Sequence, residues 1–161
     1  MGTYGFYGGK FFPMHKGHQY CIEEMAKTCD HGVVIMFVNG LDEKNYLKNH
    51  PKEDYLSIEA RAEQVARVCK KFPNLEWHII DVGDLVLPDG TEDWEAETPL
   101  VRQYLPHIDY VFSSEPRYGP YFRDAYPEAI HIVVDAVRED VPISATEVRA
   151  MNEKERKLWM V

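Results

Sequence analysis

Two histidines three residues apart, His15 and His18, lie in the stretch Gly9-Lys10-Phe11-Phe12-Pro13-Met14-His15-Lys16-Gly17-His18, accompanied by Lys10 and Lys16. A short aromatic run, Tyr4 to Tyr7, precedes them, and a segment with helical spacing follows. The histidines therefore stand at a strand-to-helix junction. Backbone N–H groups at a helix start, together with the helix dipole, favour an anion in front of them. Imidazoles and ammonium groups at the same corner point to a phosphorylated ligand. Pro13 stiffens the loop that brings His15 back over the helix start, and Gly17 leaves room for a ligand to approach. The usual nucleotide signatures do not apply. A P-loop ending on Gly9-Lys10 needs glycine where Tyr4 stands and Ser or Thr where Phe11 stands, and no G-x-G-x-x-G follows a strand.

A second cluster lies near the other end, in Pro142-Ile143-Ser144-Ala145-Thr146-Glu147-Val148-Arg149. Ser144 and Glu147 have the spacing of a capping box. Hydroxyls and N–H groups at a helix start can cap and bind phosphate alike, and Arg149 adds a cation suited to phosphate oxygens. Between the clusters, Trp94 sits in an acidic stretch with Asp89, Glu92, Asp93, Glu95 and Glu97.

The elements that must position these groups follow from periodicity. Tyr4 to Gly8 reads as a first strand. Cys21, Ile22, Met25, Ala26 and Cys29 line one face of a helix, and Ile58, Ala62, Val65, Ala66, Cys69 and Phe72 line that of a second, which Ser57 starts. Val33 to Val38, Leu75 to Val82, Ile108 to Phe112 and Ile130 to Val134 read as four further strands. The segments from Asn39 to Tyr55 and from Gly83 to Thr98 read as loops. Pro99 suits the first turn of a short helix through Leu105. Further helices are expected over Tyr121 to Ala125, from Ser144 through Arg149, and on to the C-terminus. Strands alternating with helices, and apolar without polar interruption, predict a Rossmann-like doubly wound parallel sheet of five strands with helices on both faces. Ligands bind such sheets beyond the carboxyl ends of the strands, where strand order reverses. The histidine corner, the Asn39, Trp94 and Ser113 segments and the Ser144 segment all follow strands, so they are expected at one edge.

The 161 residues fit one domain, expected to span residues 1–161. A net charge of −9 argues against nucleic acid as partner, which needs a basic face, but leaves room for a local cluster of cations. Cys21, Cys29 and Cys69 cannot all pair and fall on apolar helix faces, as buried reduced thiols do. No long apolar segment predicts a membrane span, and a cytoplasmic protein is expected.

His15-Lys16-Gly17-His18 after Gly-Lys-Phe-Phe-Pro-Met resembles the H-x-G-H motif of a nucleotidyltransferase superfamily, and Ile143 to Arg149 resembles its closing I-S-x-T-x-x-R motif. Many relatives carry a second small polar residue where this chain has Ala145. Gly-Lys-Phe before the histidines, Ser114-Glu115-Pro116-x-Tyr118-Gly119, and Asp135-x-x-Arg138 bring the resemblance nearest to nicotinamide-nucleotide adenylyltransferases, especially that domain of bacterial NAD-salvage proteins. The resemblance implies transfer of the adenylyl group of ATP to nicotinamide mononucleotide. It assigns His15 and His18 to catalysis. It assigns Gly9, Lys10, Phe11, Gly17, Arg138, Ser144, Thr146 and Arg149 to ATP. Asn39, Trp94, Ser114, Glu115 and Tyr118 fall to the acceptor, with Trp94 stacking on its pyridine ring. Mg2+ is expected to be held mainly by the phosphates, with no set of protein ligands spaced for a metal. Relatives commonly assemble, so a homo-oligomer is open. Transfer to phosphopantetheine or by cytidylyl chemistry, and a silent nucleotide sensor, remain alternatives. The acidic residues around Trp94 would repel an acid substituent, which predicts preference for the amide mononucleotide.

Overall fold

From Val33 to Met36 every side chain is shut off from solvent, although successive side chains of a strand point to opposite faces. A strand buried on both sides needs a cover on both sides. The computed structural model, which describes residues 2–135 and 141–161, supplies it. Five strands, β1 (Tyr4–Gly9), β2 (His31–Val38), β3 (Leu75–Asp81), β4 (Tyr110–Ser113) and β5 (Ile130–Val133), form one sheet in the order β3-β2-β1-β4-β5. All four pairings are parallel. On one face, α1 (Lys16–Thr28) and α3 (Ile58–Cys69) bring Ile22, Met25, Val65 and Val68 against Tyr7, Val34, Met36 and Phe112. On the other, α4 (Trp94–Arg102) and the chain beyond it bring Val101, Leu105 and Tyr126 against Phe6, Val33, Ile35 and Val111. The expected five-stranded parallel sheet with helices on both faces is therefore what the chain forms.

The order in which strands are added reverses at β1: β2 and β3 extend the sheet on one side, β4 and β5 on the other. The carboxyl ends of β1 and β4 lie at this reversal, the position at which parallel sheets offer a crevice to ligands.

Two stretches expected to be loops contain helices. Residues Gly40–Asn49 form α2, with Asn39 capping it through its side-chain oxygen, which accepts the Asp42 N–H. A 3-10 turn follows at Asp54–Leu56. No residue of α2 is buried, so its sequence carries no apolar stripe to betray it. α4 begins at Trp94, capped by the Asp93 carboxylate on the Ala96 N–H, and ends at Arg102. Pro99 consequently lies inside the helix, not in its first turn, and the loop after β3 is shorter than expected. Smaller shifts place β4 at Tyr110–Ser113 and start α5 (Gly119–Ala125) two residues early. Helices α6 (Ala145–Ala150) and α7 (Glu153–Trp159) complete the chain.

The three cysteines are buried, and none is in a disulfide. Burial pushes the Cys29 and Cys69 thiols up to about 12, which keeps them protonated and unreactive. Among the described residues no helix is long and apolar enough to cross a membrane.

Close packing of α1 on β1 depends on Gly5, where an added Cβ would lie 2.5 Å from Cys29 Sγ and 3.1 Å from both Met25 and Phe112 side chains. Gly5→Ala should therefore destabilise the protein by about 1–3 kcal/mol, as overpacked core positions do. Urea unfolding at neutral pH would measure it as a lower midpoint with an unchanged slope.

Candidate active site

The histidine corner is built by reciprocal capping. His15 is the N-cap of α1 and is 3% exposed. Its Nδ1 accepts the N–H of Gly17 at 3.0 Å and that of His18 at 3.4 Å, while His18 Nδ1 accepts the N–H of His15 at 3.1 Å. A ring nitrogen that accepts carries no proton, so both imidazoles are neutral with their hydrogen on Nε2. The rings stack at 3.7 Å, and Phe11 meets the His18 ring edge-on at 5.0 Å. Gly17 serves this packing directly, since a Cβ there would lie 2.8 Å from His15 Cε1. Two of the N–H groups expected to face a ligand are thus committed to His15, and His18 offers the corner a hydrogen-bond donor, not a charge.

The second cluster reaches the same place. The Arg149 guanidinium donates from Nη1 to the Phe12 carbonyl at 2.6 Å and from Nη2 to Thr146 Oγ1 at 3.3 Å. Phe12 lies between two guanidiniums, Arg149 at 5.4 Å and the fully buried Arg61 at 5.0 Å. Arg61 is held by Glu43 of α2 at 3.1 Å and by the Leu56 carbonyl. This series ties α2, the histidine corner and α6 together. Ser144 caps α6, its Oγ accepting from the Glu147 N–H, which is the first half of the expected capping box; the Glu147 carboxylate accepts from the Ser144 hydroxyl instead of reaching back to the cap's backbone N–H.

One cavity of about 830 Å³ opens at the carboxyl ends of β1 and β4. Of the residues singled out from sequence, Gly9, Lys10, Phe11, His18, Asn39, Trp94, Tyr118, Thr146 and Arg149 line it. His15, Gly17, Ser144, Ser114 and Glu115 are not among its lining residues. His15 and Ser144 act as caps, and Glu115 caps the Pro116–Tyr118 turn while pairing with Arg117 at 3.0 Å. Arg138 lies outside the described residues. Sequence reasoning missed Ser113, whose Oγ is 2.6 Å from His131 Nε2, and the aromatic wall of Tyr121, Phe122 and Tyr126. Trp94 meets Tyr118 and Tyr121 edge-on, each at 4.9 Å, and its carbonyl accepts the Tyr121 hydroxyl at 2.6 Å. The signal for this wall was present in the aromatic spacing of Tyr118-x-x-Tyr121-Phe122, which reads equally well as core.

Of the five acidic residues around Trp94, only Glu92 and Glu97 line the cavity. Asp89 is held to Thr91, and Asp93 caps α4. Lys10 lies 3.8 Å from Glu92. Glu97 is 5% exposed, and burial, followed by the Glu92 charge and a hydrogen bond to Glu92, pushes its carboxyl up to about 8. At neutral pH Glu97 therefore keeps its proton. Among the described residues no group of three or more His, Cys, Asp or Glu side chains is placed to hold a metal ion.

The family described as cytidylyltransferase-like matches residues 6–151. A phosphopantetheine adenylyltransferase of Clostridium botulinum is 34% identical over 70 residues, covering 44% of this chain and 37% of that protein. A nicotinamide-nucleotide adenylyltransferase of Halorubrum lacusprofundi is 25% identical over 125 residues, covering 78% of this chain and 63% of that protein. The matched segments thus span between 37% and 63% of these relatives. Among solved structures, the NadR protein in complex with NAD and AMP-PNP superposes with a TM-score of 0.71 at 20% identity, over 99% of this chain and 45% of that one. The nicotinic acid mononucleotide adenylyltransferase of Plasmodium falciparum, complexed with APC, gives 0.59 at 10% identity, over 99% and 90%. These two likenesses concern the fold alone.

The Glu97 carboxyl has a stability consequence. Between its ordinary range and about 8 the folded state binds a proton that the unfolded state has lost, so this group costs stability increasingly as pH rises through that window. Glu97→Gln should therefore raise stability at pH 7 by on the order of 2 kcal/mol. The gain should vanish below about pH 4, where the unfolded carboxyl is protonated too. Urea titrations of both proteins at the two pH values would show it.

Proposed function

This chain belongs to the cytidylyltransferase-like family, and from that premise we propose that it transfers the adenylyl group of ATP to nicotinamide mononucleotide, giving NAD and pyrophosphate. One observation carries the reading. A single cavity is lined both by His18, Lys10 and Arg149 and by an aromatic set of Trp94, Tyr118, Tyr121 and Phe122, the groups that a triphosphate and a planar ring would require.

The mononucleotide phosphate attacks the α-phosphorus of ATP in line, the new P–O bond forms, and the bond to the β-phosphate oxygen breaks. A phosphate monoester is a sufficient nucleophile, so the protein needs no strong base. Its contribution is positioning and charge stabilisation. His18 donates its Nε2–H to an α-phosphate oxygen as charge builds there. His15 acts on the reaction through His18, by fixing the ring and its tautomer. Lys10, Thr146 and Arg149 receive the β- and γ-phosphates, with Arg149 oriented by the Phe12 carbonyl. Mg2+, held by the phosphates and water, would neutralise the departing pyrophosphate. The residues present fit that arrangement, because the nearby carboxylates have other partners: Glu43 has Arg61, Glu92 has Lys10, and Asp42 has Asn39.

Trp94 supplies a face for the pyridine ring. With Glu92 and Glu97 beside it, the acceptor is the amide mononucleotide in preference to the acid. A second reading, transfer to phosphopantetheine, is favoured by the 34% identity to the Clostridium botulinum enzyme.

Pyrophosphate release from ATP and from CTP, against both pyridine mononucleotides and phosphopantetheine, separates these readings. ATP with nicotinamide mononucleotide should be fastest. Equal or higher kcat/KM with the acid form would contradict the amide preference, and turnover confined to phosphopantetheine would establish the second reading. In the same assay, His18→Ala should lower kcat by roughly 10²–10³-fold while changing the KM for ATP much less. Near-normal turnover would remove His18 from the chemistry.

A further inference from the structure

Trp94, Glu97 and Val101 follow one another at the spacing of a single helix face, and all three line the cavity from α4. Two of them are what an apolar wall should contain. The third is a buried carboxyl whose Oε2 has no hydrogen-bond partner. A buried acceptor left unpaired costs free energy, and such a group in a ligand cavity awaits a donor from the ligand.

We propose that Glu97 determines acceptor specificity, its Oε2 accepting a hydrogen bond from the carboxamide N–H of the pyridine ring that stacks on Trp94. The proposal rests on the adenylyl-transfer reading above and names the group that reads the acceptor. With the Glu97 proton donated to Glu92 in the hydrogen bond between them, the oxygen left without a partner, Oε2, is an acceptor only. A carboxamide can satisfy it with an N–H. A carboxylate at the same ring position has no hydrogen to give, and sets oxygen against the unpartnered Oε2. A site that hydrogen-bonds one substituent rejects the analogue lacking it more strongly than an apolar pocket rejects a change in size. The carboxyl remaining protonated to about 8 keeps this arrangement through the neutral range. The Tyr121 hydroxyl does not compete for Oε2, because it donates to the Trp94 carbonyl and pairs with Thr98.

Two substitutions test the proposal by steady-state kinetics with both pyridine mononucleotides. Glu97→Met fills similar space without an acceptor. It should lower kcat/KM for the amide form about tenfold, the worth of one net hydrogen bond, while the acid form, relieved of the opposing oxygen, loses nothing, and the KM for ATP changes little. Glu97→Gln restores an acceptor oxygen, and its amide can donate to Glu92, so it should keep the wild-type preference. Retention of the preference in Glu97→Met, or an equal loss with both acceptors, would overturn the proposal. So would loss of the preference in Glu97→Gln. Failure of the underlying reading looks different: the wild-type protein itself would then use neither pyridine mononucleotide.

Discussion

The site depends on a reciprocal exchange of hydrogen bonds between two histidines and the first turn of α1. Each Nδ1 accepts a backbone N–H from the other residue of the pair, so neither ring can turn without orphaning a buried donor. The exchange does three things at once. It caps the helix that follows the central strand, fixes both rings as Nε2–H tautomers, and holds His18 at the cavity wall. Gly17 is required by the same contacts, because any side chain there would enter the His15 ring. Distant parts of the chain are attached to this corner as well. Arg149 reaches the Phe12 carbonyl, and the N–H of Val161 reaches that of Met14.

Charge is distributed with equal economy. In a chain of net charge −9, Lys10 and Arg149 line the same cavity as the neutral His18 donor, the local cluster of cations that the proposed polyanionic substrate needs. The rest of the lining is largely aromatic, with Glu97 buried among it and Glu92 between Glu97 and Lys10. In the proposed reaction the first group stabilises charge on phosphorus and the second recognises the acceptor's ring. The two tasks fall on different elements: β1, α1 and α6 for phosphates, α4 and α5 for the ring. Change of acceptor within one fold then requires alteration of only the second set.

Much of this was readable in the sequence, and the exceptions have physical causes. The sheet was readable because both its faces are buried, which leaves unbroken apolar runs. The histidine corner was readable from residue types gathered at a strand-to-helix junction. α2 was not, since it buries no residue and has no stripe. The start of α4 was missed because acidic residues and a proline dominate it, so Glu97 counted as one loop carboxylate among five when it occupies an inward position of a helix. Ser114 and Glu115 were chosen where the cavity instead receives Ser113, a single-residue displacement at a strand end, where consecutive side chains face opposite ways. His15 and Ser144 combined two readings that sequence could not separate, and the geometry shows the capping one in both.

The central claim is that this corner directs attack at the α-phosphorus of ATP. The most direct measurement follows isotope: ATP labelled at the α-phosphate, or separately at the γ-phosphate, is incubated with nicotinamide mononucleotide and Mg2+, and the products are resolved. The account predicts α-label in the dinucleotide and γ-label in pyrophosphate, in equal amounts. Transfer of γ-label to the acceptor, or release of both labels with the acceptor unchanged, would contradict it.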